Sequence, residues 1–367
     1  MLTRNFYLEH LLAPGNSGVK TIPLNFTDPI SHIDFEFRAT NGATSNKENP
    51  LLHQVTKIEV VDGGDVITSI RGEVLRGLVS HINGHCPGEY QTEVGGGGSV
   101  EAVTLPFGRY RWDTQYALNP AAFRNLQLKI SWDLAHGGAI AATKYATGSF
   151  KMTVLAGLME DVSPPVGVLT AKEVYDFVAA SSGDEKIELP TDYPYRTLLV
   201  RAYENGVDMR ATLTNIKLSC DGAKFVAFDD TTADILQAMI DYYGVLHNTR
   251  ECRFDNNAAV ATYMGYGLGG HVTPLAGDIP LIGVNYFWKS DAFMYASDDA
   301  GTAITDCDAM ITVLGTAYEN CYVIPFGRKN EPETWFPASR FKNIDLFLTQ
   351  KEADGEVQVA LQEVRPY

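Results

Sequence analysis

Short segments in which apolar and polar residues alternate recur along the whole chain. Residues 33–38 (Ile-Asp-Phe-Glu-Phe-Arg), 126–130 (Leu-Gln-Leu-Lys-Ile) and 357–361 (Val-Gln-Val-Ala-Leu) are examples. Such alternation places apolar side chains on one face of a β-strand and polar side chains on the other. Because Gly, Asn, Asp and Pro separate these segments, the pattern predicts an all-β chain of antiparallel sandwiches or barrels.

The N-terminal half of the sequence recurs in the C-terminal half. Residues 105–109 (Leu-Pro-Phe-Gly-Arg) match 324–328 (Ile-Pro-Phe-Gly-Arg), and a Phe-Arg/Lys-Asn segment follows at Phe123 and at Phe341. Two further matches precede these, and they align 37–42 with 200–206 and 56–60 with 214–218. The repeat predicts two tandem eight-stranded antiparallel sandwiches. The two Pro-Phe-Gly turns should occupy equivalent corners, where Pro and Gly supply the backbone angles.

Short helices are predicted inside each repeat and between them. The first has apolar residues at 74, 75, 78, 79 and 82 and ends at Asn83-Gly84. The second begins at Thr231 with Asp234 in capping-box spacing and ends at Gly244. A third is predicted after the Pro/Gly break at 162–167, where Thr170 and Glu173 have the same spacing. The predicted domains are 1–165, a linker with a helix at 166–190, and 191–367 with a long insertion at about 245–321.

Composition narrows the classes of function. Apolar residues make up 45% and charged residues 20% of the 367 residues, which is typical of a globular protein. The net charge of −16 argues against a protein that works by neutralising nucleic-acid phosphates. Five scattered cysteines without a CxxC spacing argue against a disulfide framework and a zinc site, and predict reduced thiols. The N-terminus has no signal-peptide pattern, and no apolar run reaches membrane-span length.

Glycine-rich segments do not predict a nucleotide site. Residues 265–270 (Gly-Tyr-Gly-Leu-Gly-Gly) fit GxGxxG, but Pro274 follows where a phosphate-binding helix would have to begin. Residues 95–98 are four glycines without the lysine of a phosphate-binding loop. Both segments are predicted to be loops.

Metal and sugar sites are also weighed and set aside. His81, His85 and Cys86 have ligand-like spacing, but the helix ends between the histidines, and contacts with carbonyls at the helix end are favoured. An acidic group (Asp298, Asp299, Asp306, Asp308) could hold Ca²⁺, but it lacks EF-hand spacing, so a solvated loop is favoured. Aromatic clusters at 242–243, 286–288 and 335–336 are interpreted as packing rather than a sugar groove. The sequence therefore predicts no catalytic, cofactor-binding or metal residue, and no cofactor.

The repeated order of strand, strand, helix, loop and Pro-Phe-Gly-Arg resembles the double jelly-roll major capsid proteins of tailless icosahedral viruses, which typically contain an internal membrane. The resemblance covers about residues 33–364. It implies two tandem jelly rolls without enzyme activity and a homotrimer that forms a pseudo-hexameric capsomer in the virion shell, after synthesis in the host cytoplasm. It further implies contacts with neighbouring capsomers, with penton or minor capsid proteins and with an internal viral membrane, and no sequence-specific nucleic-acid binding.

Two segments outside the matched repeats complete this interpretation. The insertion is predicted to be structured and to form a tower on the outer face of the shell. The N-terminal segment carries Arg4 and the apolar residues Leu2, Phe6, Leu8, Leu11 and Leu12. Two interpretations of it stay open: it lies on the inner side of the capsid against a neighbour or lipid, or it covers an open sheet edge of its own subunit.

Two other classes of function remain as alternatives. Some glycan-releasing amidases also resemble two adjacent jelly rolls, and a cupin-like or lectin-like module would bind carbohydrate on a related scaffold. The amidases are usually secreted, so the missing signal-peptide pattern favours the capsid interpretation. A binding module would need a metal cluster or carbohydrate groove that the sequence does not indicate.

Overall fold

The computed structural model describes residues 1–43, 50–92, 95–136, 145–204, 207–254, 260–261, 263–274, 293–294 and 307–367. The helices are α1 (Gly72–Asn83), α2 (Met209–Thr212) and α3 (Thr232–Tyr243). The strands are β1 (Leu2–Leu12), β2 (Ser17–Pro23), β3 (Ile30–Thr40), β4 (Lys57–Asp62), β5 (Asp65–Ile70), β6 (Glu89–Thr92), β7 (Gly98–Pro106), β8 (Leu126–Asp133), β9 (Lys151–Glu160), β10 (Gly167–Val178), β11 (Gly183–Leu189), β12 (Tyr195–Tyr203), β13 (Leu213–Cys220), β14 (Phe225–Thr231), β15 (Leu246–Phe254), β16 (Val260–Ala261), β17 (Met264–Pro274), β18 (Phe293–Met294), β19 (Cys307–Tyr318), β20 (Cys321–Pro325), β21 (Ile344–Gln350) and β22 (Glu356–Pro366).

Each half of the chain is a sandwich of two four-stranded sheets with the same strand order. The first roll pairs β1-β9-β3-β7 against β2-β8-β4-β5, and the second roll pairs β10-β22-β12-β20 against β11-β21-β13-β14. All pairs inside these sheets are antiparallel. The expected tandem eight-stranded jelly rolls are therefore confirmed, and β6 is an additional strand beside β7.

The two Pro-Phe-Gly turns occupy equivalent positions, as the repeat predicts. Pro106 lies opposite His32 at the end of β7, and Pro325 lies opposite Thr197 at the end of β20. The next amide donates to the facing strand in both rolls, from Phe107 to the Ser31 carbonyl (3.1 Å) and from Phe326 to the Arg196 carbonyl (3.0 Å).

The strand registers also correct one sequence alignment. With His32 equivalent to Thr197, Phe37 of β3 corresponds to Ala202 of β12 and not to Val200. The alignment of 37–42 with 200–206 is therefore wrong by two residues. A shift of two keeps every side chain on the same face of a strand, so the alternating pattern cannot detect it. The match of 56–60 with 214–218 is confirmed, because Ile58 and Ile216 face Ile130 and Leu348 at equivalent points of β8 and β21.

The helix predicted in the linker is wrong. Residues 167–178 form strand β10, which pairs with β22 from Gly167↔Pro366 to Val178↔Glu356. The segment is rich in β-branched and aromatic residues, and pairing along its whole length outweighs the two residues of capping-box spacing. The segment placed in the linker thus supplies the first two strands, β10 and β11, of the second roll.

The N-terminal segment is the counterpart of β10 in the first roll. β1 pairs with β9 from Leu2↔Glu160 to Leu12↔Met152, and its register shifts after Tyr7, as that of β10 shifts after Glu173. The interpretation that this segment covers a sheet edge of its own subunit is therefore confirmed. The notion that it lies outside the repeat is wrong.

The two helices inside the rolls are confirmed at their predicted ends. α1 ends at Gly84, whose φ of 74° is left-handed. The Thr231 side chain caps α3 by accepting from the Asp234 amide at 3.3 Å, and the helix ends before Gly244. Because the amphipathic patterns and the caps agree, tertiary contacts did not override them.

The rolls are joined by continuous sheets. In one sheet, Lys172 of β10 lies opposite Ser69 of β5 in a parallel pair. In the other sheet, β6 of the first half of the chain pairs in parallel with β15 of the second half. One cluster of buried apolar residues extends through both rolls. In the insertion, β15, β19 and β17 form an antiparallel sheet that extends the first sheet of the first roll. The insertion is thus structured where it is described.

Candidate functional site

The histidines considered as metal ligands lie in different surroundings. His81 is fully buried, and its Nδ1 lies 2.7 Å from the Gly77 carbonyl while its Nε2 accepts from the Ala317 amide at 3.2 Å. His85 is exposed and contacts the Asn83 carbonyl. The interpretation as helix-end histidines beside carbonyls is confirmed. In the part of the chain that the structure describes, no three His, Cys, Asp or Glu side chains are grouped closely enough to hold a metal ion.

The remaining motifs are placed as follows. Residues 265–270 lie in strand β17, opposite β19, so the predicted loop is wrong there; pairing between Gly267 and Gly269 is irregular, as glycine permits. The acidic residues 298, 299 and 306 and the aromatic residues 286–288 lie outside the described residues. Trp335 and Phe336 are buried packing residues, as expected.

Cys86, Cys220 and Cys321 are free and buried or half-buried. No helix of the described chain is long and apolar enough to cross a membrane.

The most unusual feature of the structure is a cluster of buried charges between the rolls. α1 is buried on all sides, including Arg76, which is 1% exposed. Arg76 donates to Glu101 at 2.7 Å, to Glu89 and to the Tyr318 hydroxyl, and its Nε lies 3.2 Å from Glu319. Glu89 and Glu101 belong to the first roll, whereas Glu319 lies between β19 and β20. One guanidinium therefore joins the two rolls.

Further donors complete this charge cluster. Arg250 and Asn248 of β15 lie 3.1 and 2.9 Å from Glu89. Glu101 also accepts the backbone amides of Leu51 and Leu52 at 2.8 and 3.0 Å. Carboxylates buried without partners would be very costly, so these contacts are what permits three glutamates at this depth.

Glu319 holds an uncommon backbone conformation. Glu319 and Asn320 form the two-residue turn between β19 and β20, with φ of 58° and 55°. The turn carries the chain from one sheet to the other, because β19 and β20 belong to different sheets, and glutamate is not a preferred residue at positive φ. The Glu319 carboxylate contacts His53 at 2.8 Å, and its carbonyl accepts from Arg201 at 3.1 Å. The charged contacts therefore hold a strained turn in place.

The electrostatics of the cluster follow from these contacts. Burial by itself would raise the pKa of Glu319, but Arg76 and His53 bring that pKa below its ordinary value. Burial would likewise raise the pKa of Glu89, and Arg76 and Arg250 lower it. Both side chains are therefore carboxylates at neutral pH, whereas burial raises the pKa of Glu101 above its ordinary value despite its contact with Arg76.

A second polar contact joins the rolls at the Pro-Phe-Gly-Arg turns. Arg196 is 3% exposed and donates to the carbonyls of Arg109 and Lys329, both at 3.2 Å. Arg109 in turn donates to Asn330 at 3.3 Å and is paired with Asp113 at 2.7 Å. Burial lowers the pKa of Arg196 to about 10, so it remains charged at neutral pH. The repeated turns thus meet each other around one arginine.

Sequence reasoning missed both contacts. Arg76, Glu101, Arg196 and Glu319 are far apart in the sequence: the first three lie in an ordinary helix or strand, and Glu319 lies in a turn. One signal was present in α1, where Glu73 and Arg76 interrupt a run of apolar residues. A charged residue on the apolar side of a helix indicates either a partner or a polar interface.

A surface cleft is lined by residues of the first roll together with Lys329 and Asn330. It has a volume of about 800 Å³ and lies beside the end of α1, between Tyr110, Arg111 and Lys329. Its charges are of both signs, and Arg111 is paired with Asp34 at 2.7 Å. The cleft therefore carries charges of both signs and does not indicate one class of ligand.

Comparison with known proteins gives a match in structure but not in sequence. No protein-family model matches the chain, and no curated protein matches it. Among solved structures, the major capsid protein P2 of bacteriophage PM2 aligns with a TM-score of 0.54 and 12% identity, over 99% of this chain and 98% of P2. The MCP of STIV, Sulfolobus turreted icosahedral virus, gives 0.57 and 11%, over 100% and 98%. The PBCV-1 virus capsid gives 0.57 and 12%, over 99% and 93%.

This chain is a double jelly roll. The alignments extend over both rolls and both connecting sheets, so the whole chain and not a single domain shares the architecture. At 11–12% identity the similarity establishes the fold. Within this double jelly roll, the buried charge cluster and Arg196 are the elements that hold one roll against the other.

Proposed function

We propose that this chain is the major capsid protein of an icosahedral virion and that three copies form a pseudo-hexameric capsomer. The observation that carries the proposal is the repeat: two rolls of one strand order, joined by continuous sheets, on a fold shared along 99% of the chain with a bacteriophage capsid protein. Three such chains supply six similar rolls, which is how a trimer approximates a six-sided tile.

The buried contacts between the rolls support a structural role. A shell subunit must transmit force between neighbours without a hinge between its domains. Arg76 and Arg196 bind carbonyl or carboxylate groups of both rolls in buried positions, where each broken contact would leave an unpaired charge. These contacts would hold the two rolls in one fixed arrangement. The proposal assigns no enzyme activity to this protein.

Further partners belong to the same proposal. Neighbouring capsomers would contact the lateral surfaces, penton or minor capsid proteins the vertices, and an internal viral membrane the inner side. The insertion that contains β15, β17 and β19 would form the outer tower. After synthesis in the host cytoplasm the subunit would enter the virion shell, and its net charge of −16 disfavours capture by host nucleic acid, without sequence-specific binding.

Native mass and electron microscopy of the purified protein test the proposal. The expected result is a trimer of the 40.2 kDa chain that forms six-sided tiles at high concentration. Release of glycans from a glycopeptide is measured on the same preparation, with buffer as the blank. A stable monomer with amidase activity would replace the capsid proposal with the enzyme alternative.

A further inference from the structure

The two rolls have the same strands, but two strand edges are covered in one roll and open in the other. β5 lies between β4 and β10, whereas its counterpart β14 pairs only with β13 in the described chain. β10 lies between β22 and β5, whereas its counterpart β1 pairs only with β9 among the described strands. The covered pair, β5 with β10, is the contact between the rolls. β14 and β1 are therefore the two strand edges that correspond to this contact, and each lacks a partner strand in the described chain.

The burial of equivalent residues on β10 and β1 shows what the missing partner would cover. The strand registers make Leu2 equivalent to Val168 and Phe6 equivalent to Lys172. Val168 is fully buried, whereas Leu2 is 62% exposed. Inside the chain, the Leu169 amide of β10 donates to the Phe107 carbonyl at 2.9 Å, and Lys172 faces Ser69. No described strand covers residues 2–7 in this way, and Phe6 and Tyr7 are 44% and 56% exposed.

The open edge of the second roll shows the complementary difference. β5 and β14 share their register and their bulge, which makes Ser69 equivalent to Asp229 and Ile70 equivalent to Asp230. Ile70 is 1% exposed, whereas Asp230 is exposed, and Phe225 and Val226 of β14 are also exposed. An exposed edge strand with apolar side chains is a template for pairing with another chain.

From this correspondence we infer that β1 of one copy adds in parallel to β14 of the next copy, beside the Phe326 turn. The contact repeats the one that β10 makes with β5 and the Phe107 turn. The Thr3 amide, equivalent to that of Leu169, would donate to the Phe326 carbonyl of the next copy, and Phe6 would face Asp229. The inference rests on the proposed function and names the surfaces that its trimer uses.

Geometry agrees with a second copy as the occupant. Charge does not decide the occupant, because Arg4 is paired with Glu160 and Asp28, and Asp229 is paired with Lys217 at 2.8 Å in the same chain. The contact joins two different surfaces of the chain, and such a contact forms a ring when the rotation closes. Because this contact repeats the one between the rolls, three chains would make a ring of six rolls. Around the ring, the β5–β10 contact within a chain would alternate with the β14–β1 contact between chains.

A cross-link tests the pairing directly. The double variant Phe6→Cys/Asp229→Cys is oxidised as the assembled protein and run on a non-reducing gel. The expected result is covalent species of two and of three chains. Either single variant can link at most two chains. Ser69→Cys/Lys172→Cys is the matched control, since its disulfide forms within one chain at the contact between β5 and β10. Its yield shows how much disulfide this geometry allows.

A surface substitution provides the second measurement. Leu2→Lys should shift the native mass from trimer to monomer, because its counterpart Val168 is fully buried. Val19→Lys is the matched control: Val19 is 63% exposed on β2, and its counterpart Asp184 is exposed as well, so the trimer should persist. Circular dichroism checks that both variants are folded.

The outcomes separate this inference from the proposed function. The β1–β14 contact is overturned if the wild type forms trimers, the double cysteine variant gives no three-chain cross-link, and Leu2→Lys leaves the trimer unchanged. The capsid proposal would still stand in that case. A wild-type monomer at high concentration would overturn both. Trimers that survive Leu2→Lys but lose binding to lipid vesicles or to a minor capsid protein would assign the β1 surface to that partner instead.

Discussion

Nε of Arg76 lies 3.2 Å from Oε1 of Glu319, and both side chains are at most 1% exposed. The first residue belongs to α1 of the first roll, and the second lies in the turn that leads from β19 into β20 of the second roll. Buried ion pairs contribute little net stability compared with apolar packing, but removing one partner is costly. The pair therefore specifies how the rolls fit together more than it adds to their stability.

Glu319→Gln should lower the free energy of unfolding by about 3–5 kcal/mol, because Arg76 would keep a buried charge with one fewer carboxylate. Urea unfolding followed by circular dichroism measures the change. Glu331→Gln is the matched control, since Glu331 pairs with Arg328 at 2.9 Å on the surface, and a change of at most about 0.5 kcal/mol is expected. Equal effects of the two variants would contradict the structural role of the buried pair.

Gly77→Ala should destabilise the protein although alanine favours helices. A Cβ at Gly77 would lie 2.6 Å from Sγ of Cys321, at the start of β20, and 3.1 Å from the carbonyl of Tyr318, at the end of β19. The expected loss is about 1–3 kcal/mol, as for other overpacked interfaces. Gly88→Ala, with no atom within 4 Å of its added Cβ, should change stability by about 0.5 kcal/mol or less. A gain in thermal stability for Gly77→Ala would show that α1 does not approach β20 this closely.

The fold was largely predictable from local patterns because they agreed with each other. Alternation, the Thr231 cap and the repeated Pro-Phe-Gly turns all indicated the same tandem sandwiches. Prediction was wrong where local spacing had two meanings: Thr170 and Glu173 fit a helix cap but lie in β10, since pairing with β22 decides that segment. The correct counterpart of Phe37 needed hydrogen-bond register, which alternation does not carry.

The charge cluster could not be predicted from sequence for a different reason. Arg76, Glu101 and Glu319 meet only after both rolls have folded and docked, so no short segment contains the pattern. The same holds for β1: its apolar residues were recognised, but its equivalence to β10 became visible only in the shared register and bulge. Long-range pairing, not composition, determines these positions.

His81 should make the protein less stable as the pH falls below neutral. Burial lowers its pKa from 6.5 to about 4, so the unfolded chain binds a proton between these values while the folded chain does not. Stability from this group is present above pH 6.5 and is lost as the pH falls to 4, by about 2–3 kcal/mol. His81→Gln should be less stable than wild type at pH 7, and this difference should narrow by pH 4. A difference that stays constant across that range would exclude a neutral buried imidazole.

Glu363 should have the opposite dependence on pH. Burial raises its pKa from 4.5 to about 7, and Lys172 only partly offsets this. The folded chain therefore holds a proton between these values that the unfolded chain releases, so stability present below pH 4.5 is lost as the pH rises through 7. Glu363→Gln removes the buried charge and should raise the free energy of unfolding at pH 8 by about 1–3 kcal/mol, with no gain at pH 4. The exposed Glu333→Gln serves as the control and should show no such pH-dependent gain. If Glu363→Gln instead lost stability at pH 8, the carboxylate would have to be stabilised by its surroundings, and the second roll would tolerate a charge at this position between β10 and β12.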